Sequence, residues 1–233
     1  MWRNTHRCPM LRPCRRFCPT FCPTATKIPA AIDVHFKMPI EKYTYNGPID
    51  HTVPIDSSRV AGKSVIITGG ANGIGETCVR HFAAAGANVT ISDVNKRGYE
   101  IADELNKKHG PERTVFVEVD IRDWDQQKNN FDTALTKFGA IDIVIANAGI
   151  SRSSGDSLWN LDDPNEEPVK PDLRIMDVNL KGSFYTWKLA VHYWRKQKES
   201  EDRDRCFIIT GSMVGWIDSP VRSDLVYHHC LLN

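Results

Sequence analysis

A chain of 233 residues has the length of one α/β domain, with or without a tail, and enough for a sizeable core. At 41% hydrophobic and 25% charged its composition is that of an ordinary globular protein, and a formal net charge of +1 argues neither for nucleic acid nor for an acidic partner. The longest apolar stretches, such as IDIVIANAGI, are too short and too polar to span a bilayer.

The charge is unevenly spread. Residues 1–37 hold seven of the 30 basic residues but only Asp33 of the 29 acids, so residues 38–233, with 23 basic and 28 acidic, are mildly acidic. Four of the seven cysteines (Cys8, Cys14, Cys18, Cys22) crowd this head in the pattern C-x5-C-x3-C-x3-C. That pattern contains no paired C-x2-C unit and no histidine pair follows it, so no metal site is expected. Cys78, Cys206 and Cys230 are scattered, and a cysteine-poor body fits a reducing compartment. Prolines recur from Pro9 to Pro54 and residues 1–62 hold neither a helical nor a strand period. A disordered basic, Cys- and Pro-rich tail and linker is therefore expected over 1–62, followed by one domain over 63–233. The head is Arg-rich and free of acids through Thr24, as in a mitochondrial presequence, yet its prolines spoil the amphipathic helix such a signal needs. The preferred reading is an upstream extension with Met38 of MPIEKYTY as the start, which places the protein in the cytoplasm.

From Lys63 strands and helices alternate. KSVIIT (63–68) reads as a first strand; Ile74, Cys78, Val79 and Phe82 then follow at helical spacing and stop at Gly86, a good residue just past a helix end. NVTISD (88–93) is a second strand, 96–108 a polar helix, RTVFVEVD (113–120) a third strand and 124–138 a helix. IDIVIANAG (141–149) is a fourth strand, 151–171 a long polar segment, 172–198 a helix and RCFIIT (205–210) a fifth strand. Short, near-continuous Val/Ile strands separated by helices predict a doubly wound parallel sheet covered on both faces.

TGGANGIGETC follows the first strand directly and opens the first helix. Its order is G-x3-G-x-G (Gly69, Gly73, Gly75), with Ile74 between the last two glycines, and not G-x-G-x-x-G. Glycines there permit a tight turn and close backbone approach, while the helix N-terminus offers unpaired N–H groups to a pyrophosphate. The second strand ends in Asp93, whose carboxylate can accept from ribose hydroxyls and repels a 2′-phosphate. No Arg or Lys lies inside the turn, where Asn72 precedes Gly73, so NAD is expected rather than NADP.

Over residues 63–230 the sequence resembles the classical short-chain dehydrogenase/reductase family, in motif order. TGGANGIG is similar to that family's T-G-x3-G-x-G turn, Asp120 to its adenine-contacting aspartate, and NAG (Asn147 to Gly149) to the motif ending its fourth strand. DVNLKG carries Asn179, the counterpart of its active-site asparagine, and IITGSMVG carries Ser212, the counterpart of its catalytic serine. The resemblance implies a Rossmann-like fold with five of the usual seven strands and hydride transfer between NAD and a secondary alcohol or ketone. It also implies that Gly69, Gly73, Ile74, Gly75, Asp93, Asp120, Asn147 and Gly149 contact the cofactor. Ser212 would orient substrate, Tyr227 would act as acid and base, and the backbone of Asn179 would hold a relay water. Family members tend to homo-oligomerise, but here the interface is expected to be incomplete, because the helix at 172–198 lacks the neighbouring helix against which family members also dimerise.

One element of the family pattern is missing. Its lysine stands four residues after the tyrosine, but here that position is Leu231, and no tyrosine of the chain is followed by Lys at that spacing. His228 and His229 lie one and two positions after Tyr227, which on a helix face away from it. HHCLLN is read as shifted or unspliced coding sequence, leaving the fifth strand at an open sheet edge. Two functions follow as expectations: an NAD-dependent oxidoreductase, or a catalytically inactive dinucleotide-binding module. The polar stretch from Ser151 to Asp172, with Trp159 as an apolar contact, rims the pocket in one reading and is a solvated loop in the other.

Overall fold

Five short strands form one parallel sheet in the order β3-β2-β1-β4-β5. The computed structural model describes residues 56–151, 170–198 and 205–212, with the isolated positions Gly47, Thr52, Asn165 and Glu167. The chain separates into units Met1–His51 and Thr52–Asn233, and the sheet lies in the second. The strands are β1 (Ser64–Thr68), β2 (Asn88–Asp93), β3 (Thr114–Glu118), β4 (Ile143–Ala146) and β5 (Cys206–Ile209). The helices are α1 (Gly73–Ala84), α2 (Arg97–His109), α3 (Trp124–Phe138) and α4 (Ser183–Lys196). A 3-10 turn at Ser58–Val60 precedes β1, inside the segment expected to be linker, and the Gly62 amide donates to the Gly86 carbonyl at 2.9 Å.

Central position explains the character of β1: all five of its residues are buried, because β2 and β4 pair with its two edges and helices cover both faces. Alternate residues of each strand point to opposite faces. Val65 and Ile67 therefore join Val89, Ile91 and Ile145 beneath α1 and α2, where Val79, Ala83, Ile101 and Leu105 close one core. Ile66 faces the other way with Val144, beneath Phe131 and Ala134 of α3 and Leu189, Ala190 and Tyr193 of α4. Asp142, 1% exposed, ties the start of β4 to β1 by accepting from the Ser64 amide at 2.8 Å.

Helix ends follow local chemistry. The Asn72 side chain accepts from the Gly73 amide at the start of α1, and Asp123 accepts from the Asp125 and Gln126 amides at the start of α3. Gly86, just past the end of α1, takes φ +87° as expected of a residue in that place.

Two expectations need correction. The helix predicted over 172–198 is not one α-helix: residues 174–175 begin it, Met176–Gly182 wind as a π-helix, and α4 continues from Ser183. At Gly182 an added Cβ would stand 2.5 Å from Ile121 Cδ1, so this turn leans closely on the loop after β3. Asp120 does not close the third strand. Pairing of β3 with β2 ends at Glu118 opposite Asp93, and Asp120 stands in the turn beyond it. Among the described residues β5 pairs with β4, and Cys206, Ile208 and Ile209 on it are exposed.

Candidate functional site

The chain runs from β1 out to β3, then returns across the sheet to β4 on the other side of β1. Strand order thus reverses between β1 and β4, and in open α/β sheets the crevice beyond the strand ends at such a point is where ligands bind. A cleft of about 630 Å³ lies there. Gly69, Gly73, Ile74, Asp93, Asp120, Asn147 and Gly149 all line it, together with Asn72, Arg122, Ile150, Arg174 and Thr210.

The glycine turn is held in a cross-strand frame. Thr68 Oγ1, at the end of β1, accepts from the Asn147 amide at 3.0 Å and the Ala148 amide at 3.1 Å. Asn147 Nδ2 returns bonds to the carbonyls of Thr68 and Gly69 at 3.2 and 3.3 Å, and its Oδ1 accepts from Thr210 Oγ1 at 3.1 Å. The ends of β1, β4 and β5 are therefore stapled by one carboxamide. Gly75 does not line the cleft; it lets α1 approach, since an added Cβ would stand 2.0 Å from the Gly69 oxygen. Gly73 has φ +54° and nothing within 4 Å of an added Cβ, so this side of the turn is open.

Asp93 sits at the end of β2. Its Oδ2 accepts from the Ala71 amide at 2.9 Å and its Oδ1 from the Asn95 amide at 2.9 Å. Asp120 is engaged by Arg122: the guanidinium Nε lies 3.0 Å from both carboxylate oxygens, and Nη2 lies 2.6 Å from Oδ2. That hydrogen-bonded guanidinium holds the Asp120 carboxyl below the usual carboxylate range. Lys181 pairs with Asp177 at 2.6 Å on the same π-helical turn.

Asn179 lies on the π-helix and uses its carboxamide like a strand neighbour. Oδ1 accepts from the Ile150 amide at 2.8 Å and Nδ2 donates to the Ile150 carbonyl at 3.0 Å. Its own carbonyl accepts from Ser183 Oγ at 2.7 Å. Asn179 thereby positions the segment following Asn147–Gly149, while not itself lining the cleft. Ser212, half-buried, is two residues past Thr210 and also outside the lining. Tyr227, with His228, His229, Leu231, Trp159 and the four head cysteines, lies outside the described residues.

Several contributors escape sequence reading. Thr68 and Thr210 bond across strands, and Arg97 reaches the glycine turn from α2 by donating Nη1 to the Ala71 carbonyl at 2.7 Å. Arg122 and Arg174 line the cleft, the latter bonded to Asp172. A faint signal exists for the last two, because each basic residue follows an aspartate by two positions, a spacing suited to local pairing.

Comparison with known proteins agrees with this geometry. The short chain dehydrogenase family profile matches residues 63–222. The chain is 32% identical over 181 residues to a 5′-hydroxyaverantin dehydrogenase of Dothistroma septosporum, covering 72% of this chain and 58% of that protein. It is 34% identical over 164 residues to xanthoxin dehydrogenase of Arabidopsis thaliana, covering 70% and 55%. A short-chain type dehydrogenase/reductase from Mycobacterium marinum superposes with TM-score 0.62 at 28% identity, over 76% of this chain and 67% of that one. The chain spans little more than half the length of the two curated relatives.

Proposed function

The chain belongs to the short chain dehydrogenase family, and on that premise we propose that it binds NAD in the cleft and serves hydride transfer with a small secondary alcohol or ketone. The observation that carries this reading is the convergence of Gly69, Gly73, Asp93 and Asn147 on one cleft where the strand order reverses.

The residues fit the dinucleotide. The open side of Gly73 and the N-terminus of α1 suit the pyrophosphate. Each Asp93 oxygen accepts one chain N–H, and a carboxylate offers about four acceptor positions, which leaves capacity for ribose hydroxyls. Asp120 and its turn form the adenine end. Two solved structures of this fold, from Brucella melitensis and Burkholderia phymatum, were determined with NADH and NAD respectively. When bound, the nicotinamide supplies the hydride acceptor or donor. Ser212 would hold the substrate oxygen and Tyr227 would take or return the hydroxyl proton. The Asn179 main chain, wound as a π-turn, would hold a relay water; its side chain is committed to Ile150.

A second reading, a dinucleotide-binding module without turnover, is favoured by the missing Y-x3-K lysine. A phenol with an unperturbed pKa of about 10 is a weak base at neutral pH unless positive charge stands beside it. Titrating the full chain with NADH by fluorescence, then following NAD reduction with a panel of secondary alcohols, separates the two. Binding with turnover selects the first reading, binding without turnover selects the second, and no binding refutes both.

Residues 1–62 are proposed as a tail and linker to a domain over 63–233, with cytoplasmic placement. No helix among the described residues is long and apolar enough to cross a membrane. Homo-oligomerisation through α4 is proposed because Phe184 and Trp187, one turn apart, are 47% and 49% exposed on it; sedimentation velocity tests it.

A further inference from the structure

Ala71 in the glycine turn is gripped from two sides. Its amide donates to Asp93 Oδ2 at 2.9 Å, and its carbonyl accepts from Arg97 Nη1 at 2.7 Å. A carboxylate and a guanidinium thus stand at the two polar atoms of one residue. Asp93 lines the cleft, whereas Arg97 does not.

Arg97 is kept where it is by Glu76 on α1. Arg97 Nη2 lies 2.9 Å from Glu76 Oε1, and Nη1 bonds Oε2. The Glu76 side chain is only 15% exposed against 43% for Arg97, so the carboxylate is the fixed partner and the arginine the held one. Glu76 also receives Arg80, but Arg80 has a second anchor: Nη1 and Nη2 bond the two oxygens of Glu104 at 2.8 and 2.9 Å. Neutralising Glu76 would leave Arg80 paired with Glu104, and leave Arg97 with the Ala71 carbonyl, a neutral acceptor.

We propose that Arg97 is a latent reader of a 2′-phosphate, and that Glu76 sets the cofactor preference by holding it outside the cleft. The inference rests on the dinucleotide reading above and deepens it. A guanidinium is always charged and its planar fork matches a phosphate, which is a stronger partner than a carbonyl. Asp93 alone selects against a phosphorylated ribose by repulsion; the Glu76 restraint withholds the cation that would offset it. Selection is therefore carried by two acids on different elements, one facing the ribose and one facing the arginine.

The test is calorimetric titration of the full chain with NADH and with NADPH. The wild type is expected to prefer NADH. Glu76→Gln is expected to narrow that preference roughly tenfold, the worth of about one additional charge-assisted hydrogen bond in a partly exposed site. The double variant Glu76→Gln/Arg97→Gln is expected to restore it. If the Glu76–Arg97 pair merely braced the turn, Glu76→Gln would weaken both cofactors alike, and an unchanged ratio overturns the proposal. A narrowed ratio that persists in the double variant also overturns it, because Arg97 is then not the reader. Should Glu76→Gln fail to fold, Glu76→Asp withdraws the carboxylate by one methylene and must shift the ratio in the same direction. Wild type that binds neither cofactor overturns the underlying reading and this proposal together; NADH binding with an unmoved ratio overturns this proposal alone.

Discussion

Gly75→Ala puts a methyl group where the structure leaves no space. The new Cβ would stand 2.0 Å from the Gly69 oxygen and 2.6 Å from Asn147 Nδ2. Carbon and oxygen settle no closer than about 3.3 Å, so more than an ångström of retreat is needed. Neither neighbour is free to give it. The Gly69 amide is bonded to the Ser92 carbonyl at 2.7 Å, and Asn147 is fixed by Thr68, Gly69 and Thr210. Overpacking against fixed backbone costs about 3 kcal/mol, which in a domain of this size lowers Tm by about 6–12 °C. Gly73→Ala is the control two residues earlier. Its Cβ meets nothing within 4 Å, so the cost is the left-handed penalty at φ +54°, about 1 kcal/mol, and a Tm lower by about 2–4 °C. Thermal melts followed by circular dichroism measure both. If Gly75→Ala melts as high as Gly73→Ala, close packing of α1 on the turn is not what Gly75 supplies, and the reasoning fails.

Asp142→Ala leaves the buried Ser64 amide without its carboxylate, and a loss of about 2 kcal/mol is expected as a lower urea midpoint at unchanged slope; an unmoved midpoint would sink it. Because Arg122 depresses the folded pKa of Asp120, the pair stabilises above the unfolded carboxylate value of about 4, and that contribution is lost as pH falls below it towards the folded value. In Arg122→Met the Asp120 carboxyl is expected to titrate in the ordinary range by carbon-detected NMR, with a shallower acid limb. Burial, and secondly the bond to Asp132, raise the Tyr193 phenol above its ordinary value. Its contribution is therefore whole below about pH 10 and lost as pH rises towards the folded value, so Tyr193→Phe should flatten the alkaline stability limb. Equal limbs in variant and wild type would contradict that assignment.

The glycine-turn end of the cleft is legible in the sequence because the residues that build it are set by local pattern. The turn Gly69–Gly75 and the strand-end Asp93 and Asn147 occupy positions that a strand–turn–helix pattern places at one edge of the sheet, and the cleft gathers them. What escapes is long-range or subtle in period. Thr68 bonds Asn147 across 79 residues, and Arg97 reaches Ala71 across 26, a partnership no local spacing encodes. The π-helical turn escapes because apolar spacing reports which residues face the core and not the winding, and the contacts made by that turn, Gly182 on Ile121 and Asn179 on Ile150, are long-range. Asp120 reads as the end of a strand because Val119 before it is buried and β-like, yet the Val119 amide bonds the Asp93 carbonyl as the ladder ends, and the chain then turns.

The two ends of the cleft meet in one buried side chain. Gln127 of α3 is 0% exposed, and a buried amide is costly unless its donors and acceptor are met. Its Nε2 donates to the Ile121 carbonyl and, at 2.9 Å, to the Gly182 carbonyl; its Oε1 accepts from Thr186 Oγ1 at 2.7 Å. Ile121 belongs to the turn that carries Asp120 and Arg122, and Gly182 closes the π-helix that carries Asn179. An aliphatic residue in that place would satisfy the apolar period of α3 equally well, alongside Phe131 and Ala134, but would take the Gln127 donor from the buried Ile121 carbonyl and leave the Gly182 carbonyl with Thr186 Oγ1 at 3.0 Å, so the link between the two segments would be lost. The glutamine therefore ties the loop that carries Asp120 to the helix turn that carries Asn179. A cleft whose walls come from separate crossovers needs such a strut to hold one shape before any ligand enters, and preorganisation of this kind lowers the ordering cost of binding.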